Sequence, residues 1–249
     1  MARFKIILEY DGTGLVGWQR QNEQVSVQKI IEDAIYSLSG ELVNSVASGR
    51  TDAGVHALGQ VVHFDLEKDL SEENVRDGLN FYLKEKQVSV LQAEMVDDGF
   101  HARFDAKMRY YKYLILHRKA PPVLEKDRVW HVPYDLDFDN MLKASKKFIG
   151  NHDFSSFRAS YCQAKNPVKT VDDVSLIREG EHIIFEISAK SFLHHMVRNI
   201  VGTLVDVGRG KIKAEQIENI IEAKDRKRAG QNAPAQGLYF VKVDYYNKL

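Results

Sequence analysis

One order of predicted elements occurs twice along the chain, and this repetition limits the possible fold more than any other feature. Hydrophobic periodicity predicts strand, helix, strand, strand, helix, strand in each half. In the first half the elements lie near 4–10, 27–39, 42–47, 60–66, 71–83 and 88–95. In the second half they lie near 108–117, 137–150, 168–177, 182–190, 196–204 and 238–244, with one added helix near 217–221. Each half therefore has the β-α-β-β-α-β order of ferredoxin-like folds.

We predict an α+β protein in which the two ferredoxin-like halves join in one large, mostly antiparallel sheet. Helices are expected on one face of that sheet, which leaves the other face open for a ligand. The predicted halves are 1–107 and 108–249, and no low-complexity tract or flexible linker separates them. Ser26 and Asp137 are predicted helix N-caps, and Gly40 and Gly150 are predicted helix ends.

The bulk properties indicate a globular protein of the cytoplasm. A chain of 249 residues with 44% apolar residues can bury a core without disulfides. The first ten residues run directly into a strand pattern, and no apolar run approaches the ~20 residues of a membrane span. The single cysteine, Cys162, cannot form an internal disulfide, which favours a reducing compartment.

The two halves differ most in the connection between their second and third strands. The second half needs only the turn REGE at 178–181, whereas the first half has GRTDAGVHALG at 49–59. We attribute the longer connection to function. It carries Asp52 before a small-residue turn and two positions from Arg50, and a carboxylate kept ionised by a cation suits chemistry at a sugar carbon. Asp52 is therefore the predicted nucleophile or charge stabiliser; a plain turn is the alternative.

A basic, tyrosine-rich segment indicates a polyanionic ligand. The whole chain has no net charge, but residues 101–129 contain eight Lys/Arg against three Asp/Glu, a local excess of five positive charges. Cations that neutralise phosphates and rings that stack on bases are typical of a nucleic-acid groove. Arg109, Tyr111 and Tyr113 alternate and are expected on one strand face, with Tyr111 stacking on a base. A solvated strand face is the alternative.

Arg198, in the segment FLHHMVRNIVG, is a cation on a helix whose other positions are mostly apolar. A guanidinium in such surroundings is costly unless it is paired, so a carboxylate is expected to meet it. An arginine that extends its head to water at the sheet edge is the alternative.

Neither a metal nor a nucleotide cofactor is predicted. The spacing of the histidines matches no ligand template, and the adjacent His194 and His195 are not expected to face one ion from a helix. No glycine-rich segment is followed by the Lys-Ser/Thr of a phosphate-binding loop, although YDGTGLVGWQRQ at 10–21 has the glycines of a close backbone approach. His101 and Arg103 are expected to bind phosphate or to order the loop before the tyrosine strand.

Four separated blocks resemble the tRNA pseudouridine synthase A family. They are YDGTGLVGWQRQ, GRTDAGVHALGQVVHF, FHARFDAKMRYYKY and FLHHMVRNIVG, and GLYFVKVDY at 237–245 is similar to the closing strand of the family. The resemblance covers essentially the whole chain. One departure is Leu15–Val16, where members of the family often have an aromatic residue.

The resemblance implies a cofactor-free isomerase that acts as a homodimer on tRNA. Its implied reaction converts uridine to pseudouridine at positions 38, 39 and 40 of the anticodon stem-loop, and the open sheet face becomes the expected RNA-binding cleft. In the family the aspartate matching Asp52 is catalytic, and the arginine matching Arg198 pairs with it. The tyrosine matching Tyr111 packs in the active site, and the leucine matching Leu238 lines the base pocket. The expected catalytic residues are thus Asp52 and Arg198, and the expected substrate-binding residues are Tyr111, Arg50, Leu238, His101, Arg103 and Arg109.

Three alternatives stay open at this point. A non-catalytic RNA-binding module would use the same open sheet, and a metal-dependent hydrolase would use Asp52 with the histidines. The third alternative keeps the family chemistry and changes the target uridine. Whether Asp52 attacks C1′ or removes a proton from the sugar is also open.

Overall fold

The computed structural model describes residues 1–21 and 24–245. These residues contain ten strands and five α-helices, and the strand pairings are mostly antiparallel, so the predicted α+β class is confirmed. The strands are β1 (Ala2–Tyr10), β2 (Val46–Ala47), β3 (His56–Leu66), β4 (Val88–Val96), β5 (Ala106–Leu116), β6 (Trp130–His131), β7 (Gly150–Asp153), β8 (Val168–Glu179), β9 (His182–Ala189) and β10 (Leu238–Tyr245). The helices are α1 (Val27–Ser39), α2 (Glu72–Leu83), α3 (Phe138–Lys146), α4 (Met196–Gly208) and α5 (Gln216–Ala223).

The chain forms two compact units. Of the described residues, unit 1 contains those of Met1–Lys107 together with 239–245, and unit 2 is Met108–Leu238. None of the helices in the described part of the chain is long and apolar enough to cross a bilayer.

In unit 1, β1 lies between β4 and β3 and pairs antiparallel with both. The other side of β3 pairs with the short β2 and, in parallel, with the start of the last strand, where Tyr239 faces His56 and Phe240 faces Ala57. Completely buried side chains from β1, β3 and α1 form the core of this unit; they include Phe4, Ile6, Leu8, Ile31, Ile35 and Phe64. These strands hold the long connection that carries Asp52.

The caps of the unit 1 helices follow the sequence pattern. Ser26 Oγ accepts a hydrogen bond from the Lys29 amide at 3.2 Å, and Ser71 Oγ accepts one from the Asn74 amide at 3.1 Å. Gly40 ends α1 with a left-handed φ of +80°, a conformation that glycine adopts without steric cost. The predictions of Ser26 and Gly40 as helix ends are confirmed.

The predicted strand at 42–47 is wrong except for its last two residues, Val46–Ala47. The reason is a buried side chain from α1 that competes with strand pairing. The backbone amide and Oγ of Ser45 both donate to Glu32 Oε1, at 2.9 and 3.0 Å. Because this amide bonds a side chain, it is not available to a neighbouring strand.

In unit 2 the strand order is β5-β9-β8-β7, with antiparallel neighbours, and β6 pairs in parallel with β5. Gly180 and Glu181 alone join β8 to β9, with Gly180 at φ +59°, as the short connection predicted. Asp137 caps α3 by accepting from the Asn140 amide at 3.0 Å. The helix ends at Lys146, however, because Gly150, at φ +112°, already begins β7 opposite Val171.

Helix α4 begins at Met196, as predicted, and His194 and His195 precede it. The expectation that helix geometry keeps these two histidines from facing one ion is wrong, because one ring nitrogen of each lies within 4.8 Å of the other. His195 precedes the helix in a left-handed conformation with φ +63°, and the two imidazole rings are 4.0 Å apart. All residues of α4 are buried except Arg198, which is half-buried.

Candidate active site

The connection that carries Asp52 is an eight-residue loop, 48–55, between β2 and β3. A tight turn forms at Asp52, where the Val55 amide donates to the Asp52 carbonyl at 3.1 Å and Gly54 has φ +77°. The Asp52 side chain is half-buried; Thr51 before it is buried, Ala53 after it is exposed, and the chain is buried again at Val55. The loop therefore presents one carboxylate on a short turn whose two ends, Thr51 and Val55, are buried.

The glycine-rich segment after β1 supports this loop through backbone contacts. The Trp18 amide donates to the Thr51 carbonyl at 3.0 Å, and the Gly54 amide donates to the Leu15 carbonyl at 3.2 Å. Gly17 has φ +92°, and a Cβ there would collide with the Thr51 carbonyl oxygen. A side chain at Gly12 would likewise collide with the Val55 carbonyl. Two glycines are needed because one backbone segment lies directly against the other.

Buried polar groups hold the first half of the loop. Tyr10 Oη and Thr51 Oγ1 are 2.8 Å apart, and burial raises the pKa of Tyr10 to about 12. At the loop's start, Gln60 Nε2 donates to the Gly49 carbonyl at 2.8 Å and Ser48 Oγ donates to Gln60 Oε1 at 2.6 Å. These bonds satisfy polar groups that would otherwise be buried without partners.

His56 anchors the end of the loop. Its Nδ1 lies 3.0 Å from the Gly12 amide and 3.1 Å from Asp11 Oδ1. We assign the hydrogen bond to Gly12 because an amide N–H can only donate. The His56 ring stacks on Tyr239, with centroids 4.8 Å apart.

The other predicted residues of unit 1 lie on its surface. Arg50 and Arg103 are exposed, and His101 is half-buried. The Nδ1 of His101 accepts hydrogen bonds from the amides of Arg103 and Phe104, both at 3.2 Å, which orders the turn before β5. The Nδ1 of His63 accepts from the Ala102 amide at 3.1 Å. Neither of these nitrogens is therefore available to a metal ion.

In unit 2, β5 carries Arg109 and Tyr111 opposite Ala189 and Ile187 of β9. Tyr111 is half-buried and packs edge-on against Phe192, with ring centroids 5.1 Å apart. Arg109 is buried, and its Nη1 donates to the Lys190 carbonyl. One face of the strand thus combines an oriented tyrosine with a cation that bonds the neighbouring backbone.

Ala233, 35 residues further along the chain, forms hydrogen bonds with both the side chain and the backbone of Arg198. The Nε of Arg198 donates to the Ala233 carbonyl at 2.8 Å, and the Ala233 amide donates to the Arg198 carbonyl at 3.1 Å. Gly202, one turn along α4, allows this approach because a Cβ there would collide with the Gln231 carbonyl oxygen. The bond through Nε fixes the direction of the planar guanidinium.

Tyr113, on the same strand as Tyr111, is fully buried. Its Oη donates to the Pro234 carbonyl at 2.7 Å. Burial raises the pKa of Tyr113 well above its ordinary value, and the charge of Arg198 opposes that shift, which places the guanidinium within electrostatic range of the phenol. Gly237 packs directly against the Tyr113 ring, because a Cβ added at Gly237 would lie only 2.6 Å from the ring carbons. The next residue, Leu238, is buried.

Two features of these unit 2 residues were not predicted from the sequence. The segment 231–234 clamps Arg198, and Asn232 Nδ2 lies 3.3 Å from Nδ1 of His195. The available signal was Gly202 inside an apolar helix, which indicates a close backbone approach but does not name the approaching segment.

Comparisons with known proteins agree with the resemblance. A family model described as tRNA pseudouridine synthase matches residues 6–105 and 144–246. A protein of Wolbachia pipientis wMel named tRNA pseudouridine synthase A is 50% identical over 244 residues, which cover 98% of this chain and 100% of that protein. A protein of the same name from Ehrlichia chaffeensis (strain ATCC CRL-10679 / Arkansas) is 49% identical over 244 residues, with the same coverage.

A chain of a solved structure, "Crystal Structure of a Cbf5-Nop10-Gar1 Complex", covers 81% of this chain and 54% of its own length. Its sequence identity is 11% and its TM-score 0.33, values too low to carry an argument. The family model matches more than half of the chain, and each of the two relatives spans 98% of it at about 50% identity. The chain belongs to the tRNA pseudouridine synthase A family of isomerases.

Proposed function

We propose that the protein converts uridine to pseudouridine at positions 38, 39 and 40 of the tRNA anticodon stem-loop, with Asp52 as the catalytic carboxylate. The observation that carries this proposal is the loop 48–55. It has eight residues where unit 2 uses two, and it holds a half-buried Asp52 on a turn that runs from the buried Thr51 to the buried Val55. Preorganised side chains of this kind act on a reacting atom without first being ordered.

The reaction exchanges one bond to the sugar for another. The N1–C1′ bond of uridine breaks, the uracil turns, C5 bonds to C1′, and the proton of C5 is lost while N1 gains one. Positive charge develops at C1′ as the first bond breaks, and a carboxylate can stabilise that charge or trap it covalently. Asp52 attack at C1′ and proton removal from the sugar by Asp52 are two routes with the same net reaction.

The residues of unit 2 have supporting roles in this proposal. Arg198 supplies the cation that favours an ionised carboxylate during the reaction. Tyr111 offers a flat ring to the detached uracil, and Leu238 offers it an apolar surface. The N-terminal part, 1–107, thus contributes the carboxylate, and 108–249 contributes the cation and the base contacts. The target base must leave its stack before it reacts, which costs a few kcal/mol.

Asp52→Asn tests the proposal because it removes the charge and keeps the shape. We expect pseudouridine formation in tRNA to fall by a factor of about 10³ or more, while tRNA binding is kept because phosphate contacts dominate affinity. Asp69→Asn, at an exposed aspartate of the same unit, is the matched control and should keep full activity. Modification at the wild-type rate by Asp52→Asn would show that this carboxylate is not catalytic.

Two further measurements separate the alternatives. Full activity in EDTA is expected, and inhibition by the chelator would favour a metal-dependent hydrolase. Mapping pseudouridines in tRNA from a deletion strain identifies the target positions, and loss at uridines other than 38–40 would change the proposed substrate site while keeping the chemistry.

We also infer from the family that the protein works as a homodimer in the cytoplasm. Light scattering at working concentration measures the oligomeric state, and a monomer with full activity would contradict the dimer. Fractionation of cells, followed by detection of the tagged protein, tests the compartment.

A further inference from the structure

The turn at 100–105, between β4 and β5, is anchored in unit 1 at its first and third residues. The Phe100 carbonyl accepts a hydrogen bond from Arg3 Nη1 at 2.9 Å, and the Phe100 ring lies 5.1 Å from that of Tyr245. Ala102 is fully buried; its amide donates to His63 Nδ1 at 3.1 Å, and its carbonyl accepts from Tyr245 Oη at 2.7 Å. The base of the turn is therefore fixed to the body of unit 1.

The tip of the same turn is also ordered by hydrogen bonds. His101 Nδ1 accepts from the amides of Arg103 and Phe104 at 3.2 Å, and Asp105 Oδ2 accepts from the His101 amide at 2.8 Å. The Asp105 amide closes the turn by donating to the His101 carbonyl at 3.0 Å. Side chains on such a turn lose little backbone entropy when they bind a ligand.

Phe104 projects from this ordered tip with 72% of its side chain exposed. Its ring packs against His101, with centroids 4.3 Å apart and planes 32° apart, and the Arg103 guanidinium carbon lies 5.7 Å from the ring centroid. Phe100, four residues earlier, is half-buried against Tyr245. The segment thus contains one anchoring phenylalanine and one exposed phenylalanine flanked by an imidazole and a cation.

We propose that Phe104, with Arg103 and His101 beside it, is a stacking platform for an unpaired base of the RNA substrate, separate from the uridine that reacts. This inference rests on the proposed function, because it assumes an RNA ligand. An exposed aromatic face next to a guanidinium combines base stacking with attraction to the flanking phosphates. Within three residues of Phe104, Arg103 and Lys107 carry positive charge and only Asp105 carries negative charge, so the sequence around the ring has a net positive charge of one.

Phe81 provides a matched control in the same unit. It is 74% exposed, and it packs edge-on against Tyr82 near the end of α2, with centroids 5.2 Å apart. Phe104→Ala and Phe81→Ala therefore remove the same side chain at equal exposure, and only the first lies beside the cation and imidazole described above.

The experiment measures the Kd of wild-type and variant proteins for unmodified tRNA, together with kcat and KM for pseudouridine formation. Phe104→Ala should raise Kd and KM by about 5- to 150-fold, the effect of losing one stacked base, and leave kcat at saturating tRNA unchanged. Phe104→Trp should bind like wild type. Phe104→Leu, which keeps an apolar side chain and loses the flat ring, should weaken binding as Phe104→Ala does. Phe81→Ala should match wild type, and all four variants should have the wild-type unfolding midpoint.

Three outcomes would overturn the platform. Wild-type affinity in Phe104→Ala would show that no base stacks there, and wild-type affinity in Phe104→Leu would show an apolar contact and not stacking. Dissociation of an oligomer by Phe104→Ala, detected by light scattering, would assign the ring to a contact between protein chains. If the wild-type protein binds tRNA and forms no pseudouridine, the proposed function is wrong. The comparison of the Kd values of the variants still tests whether Phe104 stacks on a base.

Discussion

The imidazole of His63 in β3 shows how a single residue's surroundings set its chemistry. It is 5% exposed, and its Nδ1 accepts the Ala102 amide. Burial lowers the pKa of His63 from 6.5 to about 4, with further lowering by the positive charges of Arg3 and His101. The acidic groups Asp65 and Asp105 oppose that shift.

This pKa predicts how stability depends on pH. Between pH 6.5 and about 4, the unfolded chain binds a proton at His63 that the folded protein does not, so the free energy of unfolding falls as the pH is lowered through this window. The slope from one such proton is at most about 1.4 kcal/mol per pH unit. His63→Asn, which keeps an acceptor for Ala102 and does not titrate, should show a shallower decline in urea unfolding.

NMR titration measures the group directly. The His63 ring resonances of the folded protein should titrate with a midpoint near pH 4. A midpoint near 6.5, or identical pH profiles for wild type and His63→Asn, would contradict the assignment.

At the residue scale, the sequence identifies a candidate functional side chain where the residues next to it in the chain mark it, and it does not identify contacts between distant residues. Asp52 was singled out because its loop is longer than the matching turn, and that difference in length is seen in the structure. The hydrogen bonds between Ala233 and Arg198 could not be predicted, because they join residues 35 positions apart and nothing in the sequence around Ala233 identifies it as the partner. The left-handed His195 is likewise set by tertiary contacts and not by propensity, since L-residues other than glycine disfavour φ above zero.

At the element scale, helix propensity and packing favour different residues at position 202 of α4, where the chain has Gly202. Alanine is favoured over glycine inside a helix by about 1 kcal/mol. A Cβ at Gly202, however, would collide with the Gln231 carbonyl oxygen, a backbone atom that cannot move without shifting the segment around Ala233. We expect Gly202→Ala to destabilise the protein by about 2 kcal/mol or more in urea unfolding, and to lower pseudouridine formation because Ala233 orients Arg198.

Gly78→Ala in α2 is the control for that prediction. A Cβ there would meet only the end of the Leu38 side chain, at 2.6 Å, and Leu38 is half-exposed and able to move. The helix-propensity gain should therefore dominate, leaving stability equal to or above that of wild type. Equal changes in the free energy of unfolding for Gly202→Ala and Gly78→Ala would show that the close approach of Gln231 to Gly202 does not affect stability.

Element boundaries were predictable where a local side chain sets them and not elsewhere. Ser26, Ser71 and Asp137 each accept an amide of their own helix, a contact that spacing alone predicts. The shortened β2 depends instead on a bond from Ser45 to Glu32, across a helix and a loop. Such competition between a buried carboxylate and a strand is invisible to periodicity.

At the scale of the whole molecule, the chain returns to its first unit at its end. The residues of β10 from Tyr239 onward belong to unit 1, where Tyr239 and Phe240 pair with His56 and Ala57. His56 is the first residue of β3 and directly follows the loop that carries Asp52. The closing strand, more than 180 residues away in sequence, therefore stabilises the base of the candidate catalytic loop.

Phe240→Ala tests this arrangement, because Phe240 is fully buried and lies opposite Ala57. Loss of a buried phenylalanine typically costs about 3–5 kcal/mol, from lost apolar contact and the cavity that remains. Since the substituted side chain packs in unit 1, hydrogen exchange should accelerate most in peptides of β3 and of the loop 48–55. Phe81→Ala, at a residue that is 74% exposed, should change stability by less than about 0.5 kcal/mol. A loss below about 1 kcal/mol for Phe240→Ala, or faster exchange confined to 108–238, would show that the closing strand does not support the loop.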